Sequence, residues 1–359
     1  MKRKTKLIFS IMICFSILFS ACSHDSDSSE TNELRHLKVA LVLPLSSPLK
    51  KQRYERITSF FSENLRNALQ KNRFQLDFVW YDEDTINIEE TAKILAARTD
   101  IISIVGLVKS NDTDIFAAAC LPVQKPVISI LSSSETILRK YSVSAGSAVK
   151  KPFLWMLSEC DISKSRAILS KIVTIQNMAE KETSSKSKVK IALLASGDMY
   201  GQTFTQWVPF QISGSPEQME LVGNFRYKTV NTQERDYEVS QIPIEERDSA
   251  VNNLLASGAD CAICALSATD DVLYLIEKSN ERKKAGEGVP KIIFDDYALS
   301  PEILTSEDAE GIEGISIYAD PTTGFQTAYM ARYNELPSSG EPQLYDALLL
   351  SALAADWCM

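Results

Sequence analysis

The side chains best placed to do chemistry are three serine hydroxyls that follow an apolar strand. The segment KPVISILSSSETILRKY, residues 125–141, begins as a strand-like run and continues through Ser132, Ser133 and Ser134 into a helical pattern. Serines at the start of a helix cap it by accepting hydrogen bonds from its free backbone N–H groups. The same N–H groups, with the positive end of the helix dipole, also bind anions. Both roles, a helix cap and an anion site, are open for this cluster.

The histidines and cysteines offer little catalytic or metal-binding chemistry. The two histidines, His24 and His36, both precede the part of the chain that is predicted to fold, which argues against a histidine-dependent triad and most zinc sites. Cys261 and Cys264 form a CAIC motif inside a strand-like run, where residues three apart point to opposite faces of the sheet. We expect both cysteines to be core residues rather than a redox pair, and we predict no metal and no cofactor.

Enzyme motifs and nucleic-acid signals are also missing from the sequence. It contains no GxxxxGK(S/T) phosphate loop and no GxSxG elbow, and the SPLK match at residues 47–50 lacks its SDN and KTG partner motifs. The net charge is −9 and no basic stripe is visible, so a nucleic-acid partner is not expected. The sequence therefore does not favour an enzyme.

The first residues have the pattern of a secretory signal peptide. Basic residues in the first six positions precede the apolar run Leu7–Phe19, which is too short for a comfortable membrane span. The LFSAC sequence at 18–22 resembles a bacterial lipobox, so we predict a lipoprotein signal peptide over 1–21 and a lipid on Cys22. An ordinary signal peptide with an incidental cysteine is the alternative. The polar, acidic segment 22–36 is predicted to be a disordered tether in the bacterial cell envelope, at the periplasmic face, outer membrane or cell surface.

Strands and helices alternate from Leu37 onwards. Continuous apolar strands separated by single helices predict parallel sheets that are covered on both faces. The pattern restarts after about Lys150, which predicts an α/β fold with two lobes, each a mainly parallel sheet flanked by helices. We expect residues 37–150 plus 321–359 to form lobe 1 and residues 151–320 to form lobe 2, with chain crossings near 146–151 and 318–321.

An ordered series of motifs resembles the type I periplasmic binding proteins of the leucine/isoleucine/valine-binding class. The series is KVALVLPLS, VWYDED, EETAKILAAR, SIVGLVKSND, PVISILSSSETI, ASGDMYGQTF, IIFDDYALSPEIL and YDALLLSALA, and it spans about Leu37 to Trp357. The resemblance implies the two-lobed fold of that class, with a small amino-acid-like ligand held between the lobes and an ABC permease as partner. No single motif is specific; the order of the whole series carries the resemblance.

The resemblance also implies a set of ligand-binding residues. The ligand carboxylate is expected to meet Ser110 and Ser133 after the third and fourth strands, with backbone groups of Lys109 and Leu131. In this interpretation the serines after the fourth strand both cap a helix and line an anion hole, while capping alone is the alternative.

In the second lobe, the resemblance implies that Tyr200 covers the ligand and that Gly201 lets the following helix begin close to it. Asp296 is expected to bind the ligand's ammonium. Asp295 is the neighbour that a shift of one residue would select, and a role of both aspartates as helix caps is the structural alternative.

Two functions from different classes follow from these expectations. The first is a lipid-anchored solute-binding receptor, anchored to the membrane through Cys22, that traps an amino-acid-like ligand for an ABC importer. The second is an envelope lipoprotein with a degenerate cleft that acts on a partner such as a cell-wall synthase. Ser267 and Ala268, which stand where the class often has an aromatic residue, and a chain that stops at Met359 favour the second.

Overall fold

The computed structural model describes residues 35–68, 74–141, 153–183, 188–229, 242–317 and 321–358. The predicted signal peptide, Cys22 and nearly all of the predicted tether lie outside these ranges, and so do both predicted chain crossings apart from Pro321. Within the described ranges, no helix has both the length and the apolar character that a membrane span requires.

Five parallel strands form the first sheet, in the order β2-β1-β3-β4-β5. The strands are β1 (Arg35–Leu43), β2 (Phe74–Asp82), β3 (Ile101–Gly106), β4 (Val127–Ser129) and β5 (Leu154–Met156). The accompanying helices are α1 (Pro48–Ala68), α2 (Ile88–Ala97), α3 (Ser110–Cys120) and α4 (Glu135–Tyr141). Leu41 and Val42 of β1 are buried in two different hydrophobic clusters, because helices cover both faces of the sheet.

The second sheet has six parallel strands in the order β11-β10-β9-β6-β7-β8. The strands are β6 (Val189–Ser196), β7 (Met219–Tyr227), β8 (Ile244–Glu245), β9 (Cys261–Ala265), β10 (Lys291–Phe294) and β11 (Glu313–Gly314). The helices are α5 (Asp161–Thr183), α6 (Met199–Ser213), α7 (Arg247–Leu255), α8 (Thr269–Lys284) and α9 (Pro301–Leu304). Cys261 and Cys264 are buried free thiols in hydrophobic clusters on opposite faces of this sheet, as the strand periodicity predicts.

The last two helices return to the first lobe. They are α10 (Phe325–Tyr333) and α11 (Glu341–Cys358), and α11 packs on α1 and β3. Ser351 Oγ of α11 lies 2.9 Å from Ser103 Oγ of β3, and Arg53 Nε of α1 donates to the buried Glu341 Oε1 at 2.8 Å. The prediction of two α/β lobes with parallel sheets flanked by helices is therefore confirmed.

The structure adds two details at the predicted lobe edges. β5, at residues 154–156, belongs to the first sheet although it follows Lys150, the residue at which lobe 1 was expected to end. The expectation that His36 precedes the folded part is wrong, because β1 begins at Arg35 and the Nδ1 atom of His36 lies 2.9 Å from Asp77 Oδ2. A paired strand extends to these residues because β2 offers them a parallel partner.

Gly201 allows α6 to begin against the end of β6. A Cβ atom at this position would lie 2.0 Å from the backbone oxygen of Ser196. We predict that Gly201→Ala lowers the free energy of unfolding by at least about 1–3 kcal/mol, because the backbone of β6 or α6 must move to relieve the clash. Urea denaturation measures this loss.

Gly288→Ala is the matched control. An added Cβ at Gly288 has no other atom within 4 Å. The control should change the free energy of unfolding by no more than about 0.5 kcal/mol. Equal stability of the two variants would contradict the close approach of α6 to β6.

Candidate functional site

Loops at the carboxyl ends of the strands of both lobes meet and touch directly. The N–H of Met199, at the start of α6, donates to Asn111 Oδ1 in α3 at 3.1 Å. Lys50 Nζ of α1 donates to Thr269 Oγ1 of α8 at 3.4 Å. Open α/β sheets bind their ligands at this end of the strands, so the cleft between the lobes is the candidate site.

The serine hydroxyls after β4 connect helices of both lobes. Ser132 Oγ donates to Ser110 Oγ, at the first residue of α3, over 3.3 Å. Ser134 Oγ lies 3.1 Å from Thr203 Oγ1 of α6, in the other lobe. These bonds do not go to the start of α4, the helix that the serines were expected to cap.

The third hydroxyl, that of Ser133, bonds to a buried lysine that the sequence interpretation missed. Lys164 Nζ of α5 donates to Ser133 Oγ at 3.1 Å and to Asp296 Oδ1 at 2.7 Å. The same Nζ lies 5.8 Å from the centre of the Tyr200 ring. The structure thus brings together Ser133, Tyr200 and Asp296, but it places the protein's own ammonium among them, where the resemblance places that of a ligand.

Two further aspartates lie close to this ammonium. Burial lowers the pKa of Lys164, but Asp296, Asp161 and Asp295 outweigh burial and raise it above its ordinary value. Burial raises the pKa of Asp161 to about 7, and Lys164 and Ser133 oppose that shift only in part. Burial and the charge of Asp296 also raise the pKa of Asp295 well above its ordinary value. Of the two adjacent aspartates, Asp296 is the one that pairs with the lysine.

The sequence did contain a signal for Lys164. Asp161, Lys164, Ile168 and Ile172 follow a helical spacing of three and four residues and are all buried on one face of α5. A lysine within an apolar stripe indicates a buried charge, and a buried charge requires a counter-ion nearby. Only 3% of the Lys164 side chain is exposed.

The larger of two cavities at the cleft has a volume of about 190 Å³. Lys109 and Ser110 line it from the first lobe, and Asp198 and Ser267 line it from the second lobe. Lys109 Nζ donates to Asp84 Oδ1 at 2.9 Å, and Asp84 also belongs to the wall. The N-terminal end of α3 therefore opens into this cavity, but Ser133, the other hydroxyl of the expected anion hole, is not among its lining residues.

The smaller cavity, of about 50 Å³, is lined by Leu131 and Asp296. Val108 and Tyr297 line both cavities and so stand between them. Tyr297 follows β10 in the second lobe, yet it packs against a hydrophobic cluster of the first lobe. The expected ligand-binding residues are consequently divided. Lys109 and Ser110 lie at the larger cavity, Leu131 at the smaller, and Ser133 and Tyr200 at Lys164, while Asp296 both lines the smaller cavity and pairs with Lys164.

The chain matches no protein-family model, and no curated protein matches its sequence. Solved structures do resemble it. One is an ABC transporter substrate-binding protein from Desulfitobacterium hafniense in complex with Leu, at 15% sequence identity and a TM-score of 0.61, covering 90% of this chain and 84% of that chain. Another is the branched-chain amino acid substrate-binding protein LivJ of Streptococcus pneumoniae in complex with isoleucine, at 14% identity and a TM-score of 0.61, covering 89% and 84%.

A third similar structure is a solute-binding protein of an ABC transporter from Rhodopseudomonas palustris in complex with p-hydroxybenzoic acid. Its identity is 16% and its TM-score 0.65, with 90% of this chain and 82% of that chain covered. These structural neighbours are type I periplasmic binding proteins of the leucine/isoleucine/valine-binding kind. The likeness confirms that this chain has the two-lobed type I periplasmic-binding-protein fold.

The buried ion pair of Lys164 should contribute strongly to the stability of the fold. We predict that Lys164→Met lowers the free energy of unfolding by about 3–5 kcal/mol, because the change leaves buried Asp296 without its counter-charge. Urea denaturation measures the loss.

Lys171→Met provides the control on the same helix. Lys171 Nζ lies 2.8 Å from Glu313 Oε2, and the two side chains are 35% and 36% exposed. Such a surface pair contributes at most about 1 kcal/mol. Equal losses of unfolding free energy in Lys164→Met and Lys171→Met would show that Lys164 is not held by a buried ion pair.

Proposed function

We propose that this protein is a lipid-anchored solute-binding receptor of the bacterial cell envelope, which captures a small ligand between its lobes for an ABC importer. The cavity of about 190 Å³ between loops of both lobes carries this proposal. The similar solved structures support it, because they are substrate-binding proteins of ABC transporters in complex with leucine, isoleucine or p-hydroxybenzoic acid. Those solutes are small enough to be captured between two lobes.

The ligand is proposed to be amino-acid-like and to lie in the larger cavity. Lys109 and Ser110 mark the start of α3, where the backbone N–H groups of the first turn and the serine hydroxyl suit a carboxylate, while the N–H of Lys109 itself already donates to Glu83 Oε1. Asp296 Oδ1 already accepts from Lys164, so a ligand ammonium at Asp296 would lie beside the protein's own ammonium. The carboxylate end of the proposed site therefore keeps Lys109 and Ser110 but not Ser133 or Leu131, and the ammonium end moves away from Asp296.

The buried ammonium of Lys164 also favours the second candidate function, an envelope lipoprotein with a degenerate cleft. In an envelope lipoprotein with a degenerate cleft, Lys164 would fill the ligand's place permanently and the protein would act through a partner. The two candidates differ in one property that is easy to measure, which is the binding of a small solute.

Solute binding tests the proposal. The chain is unfolded, freed of carried-over solutes by dialysis, refolded, and screened by thermal unfolding against amino acids, aromatic acids and amines. A solute that binds the folded state adds about 2.7 kcal/mol of stability at a hundred times its Kd. With the best solute, Ser110→Ala should weaken binding by about 1–3 kcal/mol, because a buried polar group then loses its partner.

Ser163→Ala is the control for this measurement. Ser163 is an exposed serine near the start of α5 that lines neither cavity. Calorimetry should give the same Kd for this variant as for the unchanged protein. A refolded protein that no solute stabilises would overturn the receptor proposal in favour of a degenerate cleft.

Lipidation of Cys22 is a separate part of the proposal. In a bacterial host fed a labelled fatty acid, we expect the unchanged chain to carry label and to fractionate with membranes, because two or three acyl chains anchor a protein firmly. Cys22→Ser should lose both properties, whereas Cys14→Ser, inside the predicted signal peptide, should keep them. Equal labelling of the Cys22→Ser variant and the unchanged chain would contradict the anchor.

A further inference from the structure

Carboxyl groups outnumber cations in the wall of the larger cavity. Asp84 and Asp112 line it from the first lobe and Asp198 from the second, together with Glu83 at the end of β2. Lys109 is the one basic residue among the lining residues, and its Nζ is paired with Asp84 at 2.9 Å. Even with this pair counted as neutral, the cavity keeps an excess of acidic groups.

Glu83 has a structural role that accounts for its presence. Its carboxyl accepts from the backbone N–H groups of Val108 and Lys109 at 3.1 Å, and so holds the loop between β3 and α3. Burial and the charge of Asp112 raise the pKa of Glu83 to about 8, against the pull of Lys109 and these two N–H groups. Asp112 of the first lobe and Asp198 of the second line the cavity from opposite walls.

Asp198 uses only one of its two carboxylate oxygens in hydrogen bonds. It caps α6, and both the N–H of Gly201 at 3.0 Å and Ser196 Oγ at 2.7 Å donate to its Oδ1. Within the part of the chain that the structure describes, its Oδ2 has no hydrogen-bond partner. The cap thus uses half of the carboxylate and leaves the other half for another donor.

A second and independent observation comes from Ser267, which lines the same cavity. Its side chain is 8% exposed, and its hydroxyl lacks a hydrogen-bond partner among the described residues. A buried hydroxyl without a partner costs free energy and calls for an explanation. A polar group that arrives with a ligand would supply the missing bond.

The cavity lining suits an organic cation better than a metal ion. Among the described residues, no group of three or more histidine, cysteine, aspartate or glutamate side chains is arranged to hold a metal. Ile86 and Ile88 add apolar surface to the cavity wall. A short hydrocarbon chain that ends in an ammonium or guanidinium would match both the acidic and the apolar parts of this lining.

We infer that the solute captured in the larger cavity has a net positive charge, and that an organic cation in it binds between Asp112 of the first lobe and Asp198 of the second. This inference rests on the proposed receptor function and names the chemical class of its ligand. A cation between the two carboxylates relieves their mutual repulsion, so its binding favours closure of the lobes. The volume of about 190 Å³ limits the solute to a small one.

Calorimetry and thermal unfolding of the refolded chain test this inference with three groups of probes. The cationic probes are L-arginine, L-lysine and putrescine; the neutral probes are L-leucine and L-isoleucine; the anionic probes are L-glutamate and p-hydroxybenzoate. We expect at least one cationic probe to bind at least about tenfold more tightly than every neutral or anionic probe.

Asp198→Asn then removes the charge while an asparagine keeps the helix cap. It should weaken the best cationic probe about tenfold or more. Asp248→Asn, an exposed acid in the first turn of α7, makes the same change of charge outside the cavity and should leave the Kd unchanged. Ser267→Ala, which leaves both carboxylates in place, should also weaken the probe, and the melting temperature of each variant without solute reports whether it folds.

The outcomes separate this inference from the receptor proposal. Tight binding of a neutral or anionic probe, with the cationic probes inert, overturns the inference and leaves the receptor function standing. A cationic probe whose Kd is the same in folded Asp198→Asn, folded Ser267→Ala and the unchanged chain also overturns it. A refolded chain that binds none of the probes overturns both.

Discussion

The buried ammonium of Lys164 is the interaction on which the arrangement of the cleft depends. A charge removed from water costs several kcal/mol unless it is paired and hydrogen-bonded. Asp296 at 2.7 Å and Ser133 at 3.1 Å meet this requirement. In this arrangement the loops after β4 and β10, one in each lobe, both lie within hydrogen-bond reach of this single atom. Space for a solute remains beside the ion pair, where the start of α3 faces Asp198 and Ser267.

The same constraint explains why an apolar strand ends in three serines. The loop after β4 meets helices α3, α5 and α6 at one place, and Ser132, Ser133 and Ser134 are fully buried there. Buried polar groups of helices need partners, and a hydroxyl both donates and accepts within a small volume. Apolar side chains in their place would remove one hydrogen bond from Lys164 and one from Thr203.

The fold could be predicted from the sequence because its strands are buried on both faces and so appear as continuous apolar runs. CAICA in β9 shows this directly, since alternate residues enter two different cores. The three-residue strand Leu154–Met156 carries no such signal, as it is short and only half-buried. The composition of the candidate site was harder to predict. Lysines are almost always solvated, so Lys164 was not assigned to the core, and its pairing with Asp296 depends on two segments 132 residues apart.

The distribution of bonds across the cleft determines how easily the lobes can separate. Lys164 and Asp296 both belong to the second lobe, so their ion pair survives opening. The bonds that cross between lobes include Lys164 to Ser133, Met199 to Asn111, and Ser134 to Thr203. Such bonds contribute about 1 kcal/mol each between neutral groups and up to about 3 kcal/mol from a charged donor, and water replaces them when the lobes part. A solute at a hundred times its Kd adds about 2.7 kcal/mol to the stability of the closed state, which offsets one or two such bonds. One ion pair does cross the cleft, between Lys50 of α1 and Glu302 of α9, but its Nζ–Oε2 distance is 3.8 Å and water reaches both side chains, so it contributes at most about 1 kcal/mol. A buried pair such as Lys164–Asp296 would cost about 3–5 kcal/mol to break, so its confinement to one lobe lowers the cost of opening.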